Sequence, residues 1–323
     1  MRRVSSGWRE SRYSRSREWS KGQERSAQVL EFPRRLKPHW KYAACGGTKV
    51  LGKRRMPLRV GSMTGEQTQQ PLRRLYLLYH EIRSSESRYS YVLEAGSFER
   101  QVDLFARMRK SKSCGVWPEI TFDDGHISNI DLAAPRLRSR GMTARFFITV
   151  GWTGTKLGYM GWAELRSLHE AGHSIGAHGW THKLLTPCSD AELQTELTKS
   201  RLTLEDKLGT SITTMSLPGG RANRRVLAAC AEAGYTQVYT SEPCVESVPL
   251  GTTVGRVNIH GNMQLEWIAK LFAPDGSALS RLHRQYRMKE TAQRLLGDRL
   301  YMGLWAMVNR REPGTDGKGE GAE

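Results

Sequence analysis

Residues 119–125 read Glu-Ile-Thr-Phe-Asp-Asp-Gly, a short run rich in apolar and β-branched residues that ends in two acidic residues and a glycine. Such a run is typical of a buried strand, and Asp-Asp-Gly is typical of a turn. Successive side chains of a strand point to opposite faces, so a turn at Gly125 is needed to bring both carboxylates to one site. The segment therefore predicts a strand whose carboxyl end presents Asp123 and Asp124 together.

Segments typical of strands and of helices alternate on both sides of this stretch, between residues 72 and 260. We predict strands at 75–79, 119–122, 145–150, 174–177, 213–217, 237–240 and 254–259. We predict helices at 98–108, 131–140, 162–171, 190–208 and 224–233, and most of them are followed by a glycine. This alternation is typical of a parallel α/β architecture, either a barrel or an open sheet, in which functional groups gather at the carboxyl ends of the strands.

The flanking segments differ in composition from residues 72–260. Residues 1–60 carry 17 lysines or arginines against four glutamates, which accounts for +13 of the chain's formal net charge of +18. Residues 1–71 lack a hydrophobic period, so we expect a basic, disordered N-terminal extension. Residues 261–323 predict a helical C-terminal extension with a flexible tail. A nucleic-acid-binding function would depend on residues 1–60 alone, and we expect no specific nucleic-acid partner.

Cysteine usage and hydropathy bound the class of protein. The five cysteines are odd in number and widely spaced, without a Cys-x-x-Cys pair, which argues against a disulfide scaffold and against a cysteine-only zinc site. No stretch approaches the roughly 20 consecutive apolar residues of a membrane-spanning helix, and no secretory signal is evident. We therefore expect no transmembrane segment and a cytoplasmic location.

Two histidines follow the predicted strand 174–177, in the sequence His178-Gly-Trp-Thr-His182. Histidines four positions apart lie on one face of a helical turn, which is the spacing that a chelating pair requires. Two imidazoles and one carboxylate make a three-ligand site with open positions, typical of a catalytic divalent metal ion. One of the two aspartates would complete this set and the other would act as general base; the residues alone do not say which.

A third segment, Ser216-Leu-Pro-Gly-Gly-Arg221, lies at the end of the predicted strand 213–217. Together with TFDDG at 121–125 and HGWTH at 178–182, in this order and spacing, it resembles the polysaccharide deacetylase family, the NodB-homology domain of carbohydrate esterases. The resemblance covers about residues 72–260 and includes the Leu-Tyr-His-Glu stretch at 78–81.

The resemblance implies a distorted (β/α) barrel and a divalent metal ion, usually Zn²⁺. It implies that Asp123 is the catalytic base and that Asp124 binds the metal together with His178 and His182. The residues that it suggests for substrate binding are Pro218, Gly219, Gly220, Arg221 and His80.

The chain departs from the family pattern at two places. Ser216 stands where the family often has an arginine that pairs with the catalytic base, and we expect Arg221 to supply that charge instead. His260, at the end of Gly255-Arg-Val-Asn-Ile-His260, is the candidate general acid, although its neighbours match the family poorly.

These residues predict a metal-dependent hydrolase that removes acetyl groups from an N-acetylated amino-sugar glycan. An esterase that removes O-acetyl groups from a glycan is the alternative within the same chemistry. A catalytically silent glycan-binding relative is the alternative from another class, motivated by Ser216 and His260.

Overall fold

The computed structural model describes residues 72–111 and 115–308, with side chains as far as residue 292. The predicted extension at 1–71, which includes Cys45, lies outside the described residues, as do Cys114 and the predicted tail at 309–323. Cys188, Cys230 and Cys244 are the three cysteines that the structure describes; all three are buried, and no disulfide joins them to one another.

Parallel strands form a nearly closed barrel, which confirms the predicted distorted (β/α) barrel. The strands are, in chain order, β1 (Arg73–Tyr79), β2 (Glu81–Arg83), β3 (Val92–Glu94), β4 (Trp117–Phe122), β5 (Ala144–Ile148), β6 (Ser174–Ala177), β7 (Thr214–Ser216), β8 (Gln237–Tyr239), β9 (Glu246–Ser247), β10 (Thr253–Val254) and β11 (Arg256–Asn258). The main sheet has the order β10-β8-β7-β6-β5-β4-β1-β11, and all neighbours along it are parallel. In addition, β9 pairs antiparallel with β1, and β2 pairs with β3.

The last run of the sheet joins its two ends. We predicted one strand at 254–259, but the structure divides this run at Gly255 into β10, which pairs with β8, and β11, which pairs with β1. A side chain at Gly255 would not fit, because a Cβ there would lie 2.2 Å from the Sγ of Cys244 and 2.3 Å from the carbonyl oxygen of Glu242. The break at glycine lets one short run of chain complete the barrel.

Aromatic side chains fill the middle of the barrel. Tyr76 on β1, Phe147 on β5, and Tyr239 on β8 form a cluster with Val254. The rings of Tyr76 and Tyr239 lie 5.5 Å apart although five steps of the sheet order separate their strands, so they meet across the interior. This cluster therefore lies inside the barrel.

Helices surround the sheet. They are α1 (Ala95–Lys110), α2 (Ala134–Arg138), α3 (Trp162–Glu170), α4 (Asp190–Gln194), α5 (Ser200–Leu208), α6 (Arg224–Glu232), α7 (Leu265–Lys270) and α8 (Ser277–Val308). The helix predicted at 190–208 is interrupted by a π-helical turn, Thr195–Lys199, and a second π-helical turn precedes α2. Within the described part of the chain, no helix combines the length and the apolar character needed to cross a membrane.

Candidate metal and catalytic site

The two adjacent aspartates come to one site because the chain turns sharply after β4. Asp124 and Gly125 have φ angles of 73° and 85°, in the left-handed region that few residues other than glycine adopt. Oδ1 of Asp124 then lies 3.3 Å from Nε2 of His178, and Oδ2 of Asp123 lies 3.9 Å from the same nitrogen. The predicted turn therefore brings both carboxylates to one imidazole.

The two histidines lie close together, but not on a helical turn as the sequence led us to expect. His178 directly follows β6, and the chain from there to His182 forms a loop in which Gly179 and His182 have φ angles of 79° and 65°. The imidazole rings are 5.1 Å apart. The expected helical turn is wrong because Gly179 and His182 both have left-handed backbone conformations, which do not occur inside a right-handed helix.

A buried carboxylate, Glu196, holds this histidine loop. Its Oε2 accepts hydrogen bonds from the backbone N–H groups of Trp180 and Thr181, at 2.7 and 2.9 Å, and its Oε1 accepts one from the Thr181 hydroxyl. Glu196 is only 3% exposed and lies in the π-helical turn 195–199. Sequence reasoning missed it, although an acid at this place on the apolar face of Leu193 and Leu197 was an available signal.

Asp124, His178 and His182 have the composition and arrangement of a metal site. Each offers one ligand atom, and the three atoms lie within 4.8 Å of one another. Oδ1 of Asp124 is buried and has no hydrogen-bond partner in the described residues; Nε2 of His178 and Nε2 of His182 approach it to 3.3 and 3.1 Å without hydrogen-bond geometry. An orphaned carboxylate oxygen between two imidazole nitrogens fits a divalent metal ion.

The backbone selects the tautomer that such a site needs. Nδ1 of His178 lies 2.9 Å from the carbonyl oxygen of Ser216. Because a carbonyl oxygen only accepts hydrogen bonds, Nδ1 carries the proton and the lone pair of a neutral ring is on Nε2, facing Asp124.

Asp123 pairs with Arg256, a residue that sequence reasoning missed. The guanidinium donates from Nη1 to Oδ1 at 2.7 Å and from Nη2 to Oδ2 at 2.9 Å, and Arg256 is fully buried. The expectation that Arg221 supplies this charge is therefore wrong: β11 places Arg256 there, directly opposite the carboxylate. An arginine inside a strand pattern next to Gly255 was the available signal.

Ser216 is part of the same network. Its hydroxyl donates to Oδ2 of Asp123 at 2.9 Å and accepts from Nη2 of Arg256 at 2.7 Å. Burial by itself raises the pKa of Asp123, but the charge of Arg256 and its hydrogen bonds hold the pKa below its usual value. The carboxylate is therefore kept ionised.

The two other predicted histidines, His80 and His260, both lie close to the ring of Tyr91. The Tyr91 ring lies 4.9 Å from that of His80 and 5.3 Å from that of His260. Nδ1 of His80 is buried and has no hydrogen-bond partner in the described residues. Burial lowers the pKa of His80, and the charges of Asp124 and Asp123 offset this lowering only in part; the pKa of His260 is lowered by burial and by His80. Of these two histidines, His80 is therefore the one that the charges of both carboxylates affect.

The Pro-Gly-Gly segment forms a tight turn, Pro218–Gly220, immediately after β7. Gly219 and Gly220 have φ angles of 68° and 67°, and a Cβ on Gly220 would lie 2.1 Å from Oγ of Ser241. Pro218 packs against Gly179 of the histidine loop: a Cβ added to Gly179 would lie 3.8 Å from Cγ of Pro218. The turn is therefore next to the site, and a role in substrate binding for it and for Arg221 stays a prediction.

Aromatic side chains lie next to His182. The Trp152 ring lies 5.1 Å from the ring of His182 and 4.7 Å from that of Tyr159. Nζ of Lys156 lies 3.7 Å from the centre of the Trp152 ring. Trp152 thus contacts both the ammonium group of Lys156 and the candidate metal ligand His182.

Comparison with known proteins identifies the type of domain. The sequence model described as polysaccharide deacetylase matches residues 116–238. YxkH of Bacillus subtilis (strain 168), which is named for this family, is 27% identical over 192 residues, which are 55% of this chain and 67% of that protein. Peptidoglycan-N-acetylglucosamine deacetylase PgdA of Listeria monocytogenes is 32% identical over 108 residues, 33% of this chain and 22% of its own length. Chitin deacetylase 1 of Cryptococcus neoformans is 30% identical over 143 residues, 44% of this chain and 28% of its own length.

Solved structures share the fold. The Streptococcus pyogenes deacetylase PplD, in complex with acetate, superposes with a TM-score of 0.56 at 20% identity and covers 64% of this chain and 100% of its own. IcaB from Ammonifex degensii superposes with a TM-score of 0.51 at 19% identity, with coverage of 66% and 98%. At these identities the likeness establishes the barrel architecture.

Proposed function

We propose that the chain, whose residues 116–238 match the polysaccharide deacetylase family, is a metal-dependent hydrolase that removes acetyl groups from an N-acetylated amino-sugar glycan. The observation that carries the proposal is the pairing of two distinct carboxylates at one site. Asp124 lies between two histidines with an unpaired oxygen, and Asp123 beside it is bound by Arg256. The named activities of the peptidoglycan and chitin deacetylases support amide rather than ester hydrolysis.

Asp123 acts as general base in this proposal. Arg256 and Ser216 fix the plane of its carboxylate and keep it ionised, so that it accepts a proton from the attacking water. A divalent metal ion held by Asp124, His178 and His182, most often Zn²⁺ in sites of this composition, would supply Lewis acidity to the acetyl carbonyl and to that water.

His80 protonates the leaving amine. It is buried, its Nδ1 has no partner in the described residues, and it senses the charges of Asp123 and Asp124. His260, the acid expected from the sequence, contacts Tyr91 and is linked electrostatically to His80 rather than to the carboxylates. We therefore propose His80 as the proton donor, and His260, expected from the sequence, stays the alternative.

The test is acetate release from N-acetylglucosamine oligomers by protein that has been chelated and then reloaded with Zn²⁺. We expect release that depends on the metal and that Asp123→Asn reduces by at least about 10³-fold. Asp103→Asn is a matched control, because Asp103 lies on α1 and bonds Arg140. Acetylated xylan as a second substrate separates amide from ester hydrolysis.

Two outcomes would contradict the proposal. Faster release from acetylated xylan than from the amino-sugar oligomers would favour the esterase. Tight Zn²⁺ binding without acetate release from either substrate would favour a silent glycan-binding relative. Arg256 already weakens that last alternative, because it restores the positive charge whose absence at Ser216 motivated it.

The cytoplasmic location remains a separate proposal. Cell fractionation of the source organism tests it, and recovery of the intact chain outside the cytoplasm would contradict it. Binding to nucleic acid would depend on residues 1–60, so deleting them would abolish it while acetate release persists.

A further inference from the structure

A polar cavity of about 350 Å³ opens at the end of the barrel opposite to the candidate site. It is lined by Arg145, His169, Gly172, His173, Ser174, Ile175 and residues 210–214. Arg145, Ser174 and Thr214 lie at the amino ends of β5, β6 and β7, whereas Asp123 and His178 follow the carboxyl ends of their strands. Since these strands are parallel, the two sites lie at opposite mouths.

The cavity contains a guanidinium without a carboxylate partner. Nη1 of Arg145 donates to Oγ1 of Thr214 at 3.0 Å, and its guanidinium lies 5.5 Å from the centre of the Tyr239 ring. No carboxylate of the described residues lies within 4.0 Å of it. By contrast, Arg109 pairs with Glu119 and Arg256 with Asp123. Arg145 therefore keeps an uncompensated charge in a half-buried position.

The cavity lining also supplies other groups that can donate hydrogen bonds. The backbone N–H of Ala144 donates to Nδ1 of His173 at 3.1 Å. Because an amide N–H only donates, the proton of the neutral His173 ring is on Nε2. Hydroxyl groups come from Ser174, Ser211 and three threonines, and none of the residues that line the cavity is acidic.

We propose that this cavity binds a phosphate group, either as inorganic phosphate or as a small phosphomonoester. A phosphate dianion offers only acceptor oxygens, and the cavity offers a guanidinium, an imidazole N–H and several hydroxyls to meet them. The volume exceeds that of the ion alone and leaves room for a hexose attached to it. The site is independent of the acetyl-hydrolase proposal, because it shares no residue with it.

The experiment is calorimetric titration of the full chain with inorganic phosphate, with N-acetylglucosamine 6-phosphate and with N-acetylglucosamine, at matched ionic strength in chloride. We expect saturable one-to-one binding of the two phosphate compounds. Tighter binding of the phosphomonoester identifies it as the ligand type, and equal binding identifies the free ion.

Ser211 provides a matched pair of variants. Its side chain is exposed on the cavity wall, so Ser211→Asp adds a carboxylate without disturbing the core, and Ser211→Asn adds a neutral group of the same shape. We expect Ser211→Asp to weaken phosphate binding by at least about tenfold and Ser211→Asn by less than about twofold. Equal binding by wild type and Ser211→Asp would overturn the proposal and would assign the binding to the basic residues 1–60. No saturable binding by the wild type would also overturn it.

Discussion

Arg256 and Asp123 are 133 positions apart in the chain, and their side chains meet in the barrel through two hydrogen bonds of 2.7 and 2.9 Å. The arginine is on the strand that completes the barrel, and the aspartate follows β4, two strands away in the sheet order. The pair explains how Ser216 can stand at a place where the family often has an arginine: the serine binds both partners instead of replacing one.

Substituting Arg256 tests the pair directly. Arg256→Lys keeps the charge but loses the two-pronged contact, and we expect kcat/KM for acetate release to fall by about 10²-fold or more. Arg256→Met leaves a buried carboxylate unpaired, and we expect it to cost about 3–5 kcal/mol of unfolding free energy. Arg225→Lys is the matched control, since Arg225 donates to Asp190 at the surface at 2.6 Å. Wild-type activity in Arg256→Lys would contradict the assigned role.

The two histidines beside Tyr91 are distinguished by kcat. We expect His80→Gln to lower kcat by about 10²- to 10⁴-fold, because the leaving amine loses its proton donor. We expect His260→Gln to have a clearly smaller effect, because its ring contacts Tyr91 rather than the carboxylates. Zn²⁺ affinity, measured by calorimetry, is the control that shows an intact metal site in both. A larger loss in His260→Gln would return the role of acid to the residue expected from the sequence.

Glu196 is expected to set metal affinity without binding the metal. Its carboxylate holds the backbone of the loop that carries both histidines, so Glu196→Ala frees that loop. We expect a loss of about 10- to 100-fold in Zn²⁺ affinity, as for other residues that orient metal ligands. Glu196→Gln retains one acceptor oxygen, and its Zn²⁺ affinity should therefore lie between those of Glu196→Ala and the wild type. Glu170→Ala, at the exposed end of α3, is the control. Unchanged Zn²⁺ affinity in Glu196→Ala would show that Glu196 is not needed to position the two histidines.

Glu94 gives a prediction for stability against pH. Its carboxylate accepts the N–H groups of Gly96 and Ser97 at the start of α1, each at 2.7 Å, and the first of these contributes most to lowering its pKa. A lowered folded-state pKa means that the contribution is present above the unfolded value, roughly 4.3, and is lost as the pH falls below it. We expect Glu94→Gln to be about 1 kcal/mol less stable than wild type at pH 7, with the two converging in acid. Denaturant unfolding at several pH values measures this, and a difference that persists in acid would exclude the charge as its cause.

Local patterns in the sequence were enough to predict much of the fold and the two histidines of the candidate metal site. The helix predicted at 98–108 lies within α1. Its apolar residues at helical spacing form the buried face of that helix. Two histidines and one of the two aspartates were predicted to come together, because they follow strand ends and these meet at one mouth of a parallel barrel; the choice of Asp124 came from the family resemblance. Loop geometry was not predictable in the same way: His178 and His182 have helical spacing, but the left-handed residues between β6 and α4 give them another arrangement.

The sequence by itself determined which residue types are available at the strand ends, since each motif is contiguous and its chemistry is carried by a few neighbouring side chains. Only the tertiary structure decided which partner each one has. Arg256 rather than Arg221 meets Asp123 because the break at Gly255 lets the last strand close the barrel. Glu196 reaches the histidine loop because a π-helical turn aims it there. Both are contacts between distant segments, and their geometry depends on the curvature of the whole sheet. The local periodicity of the sequence does not predict that curvature.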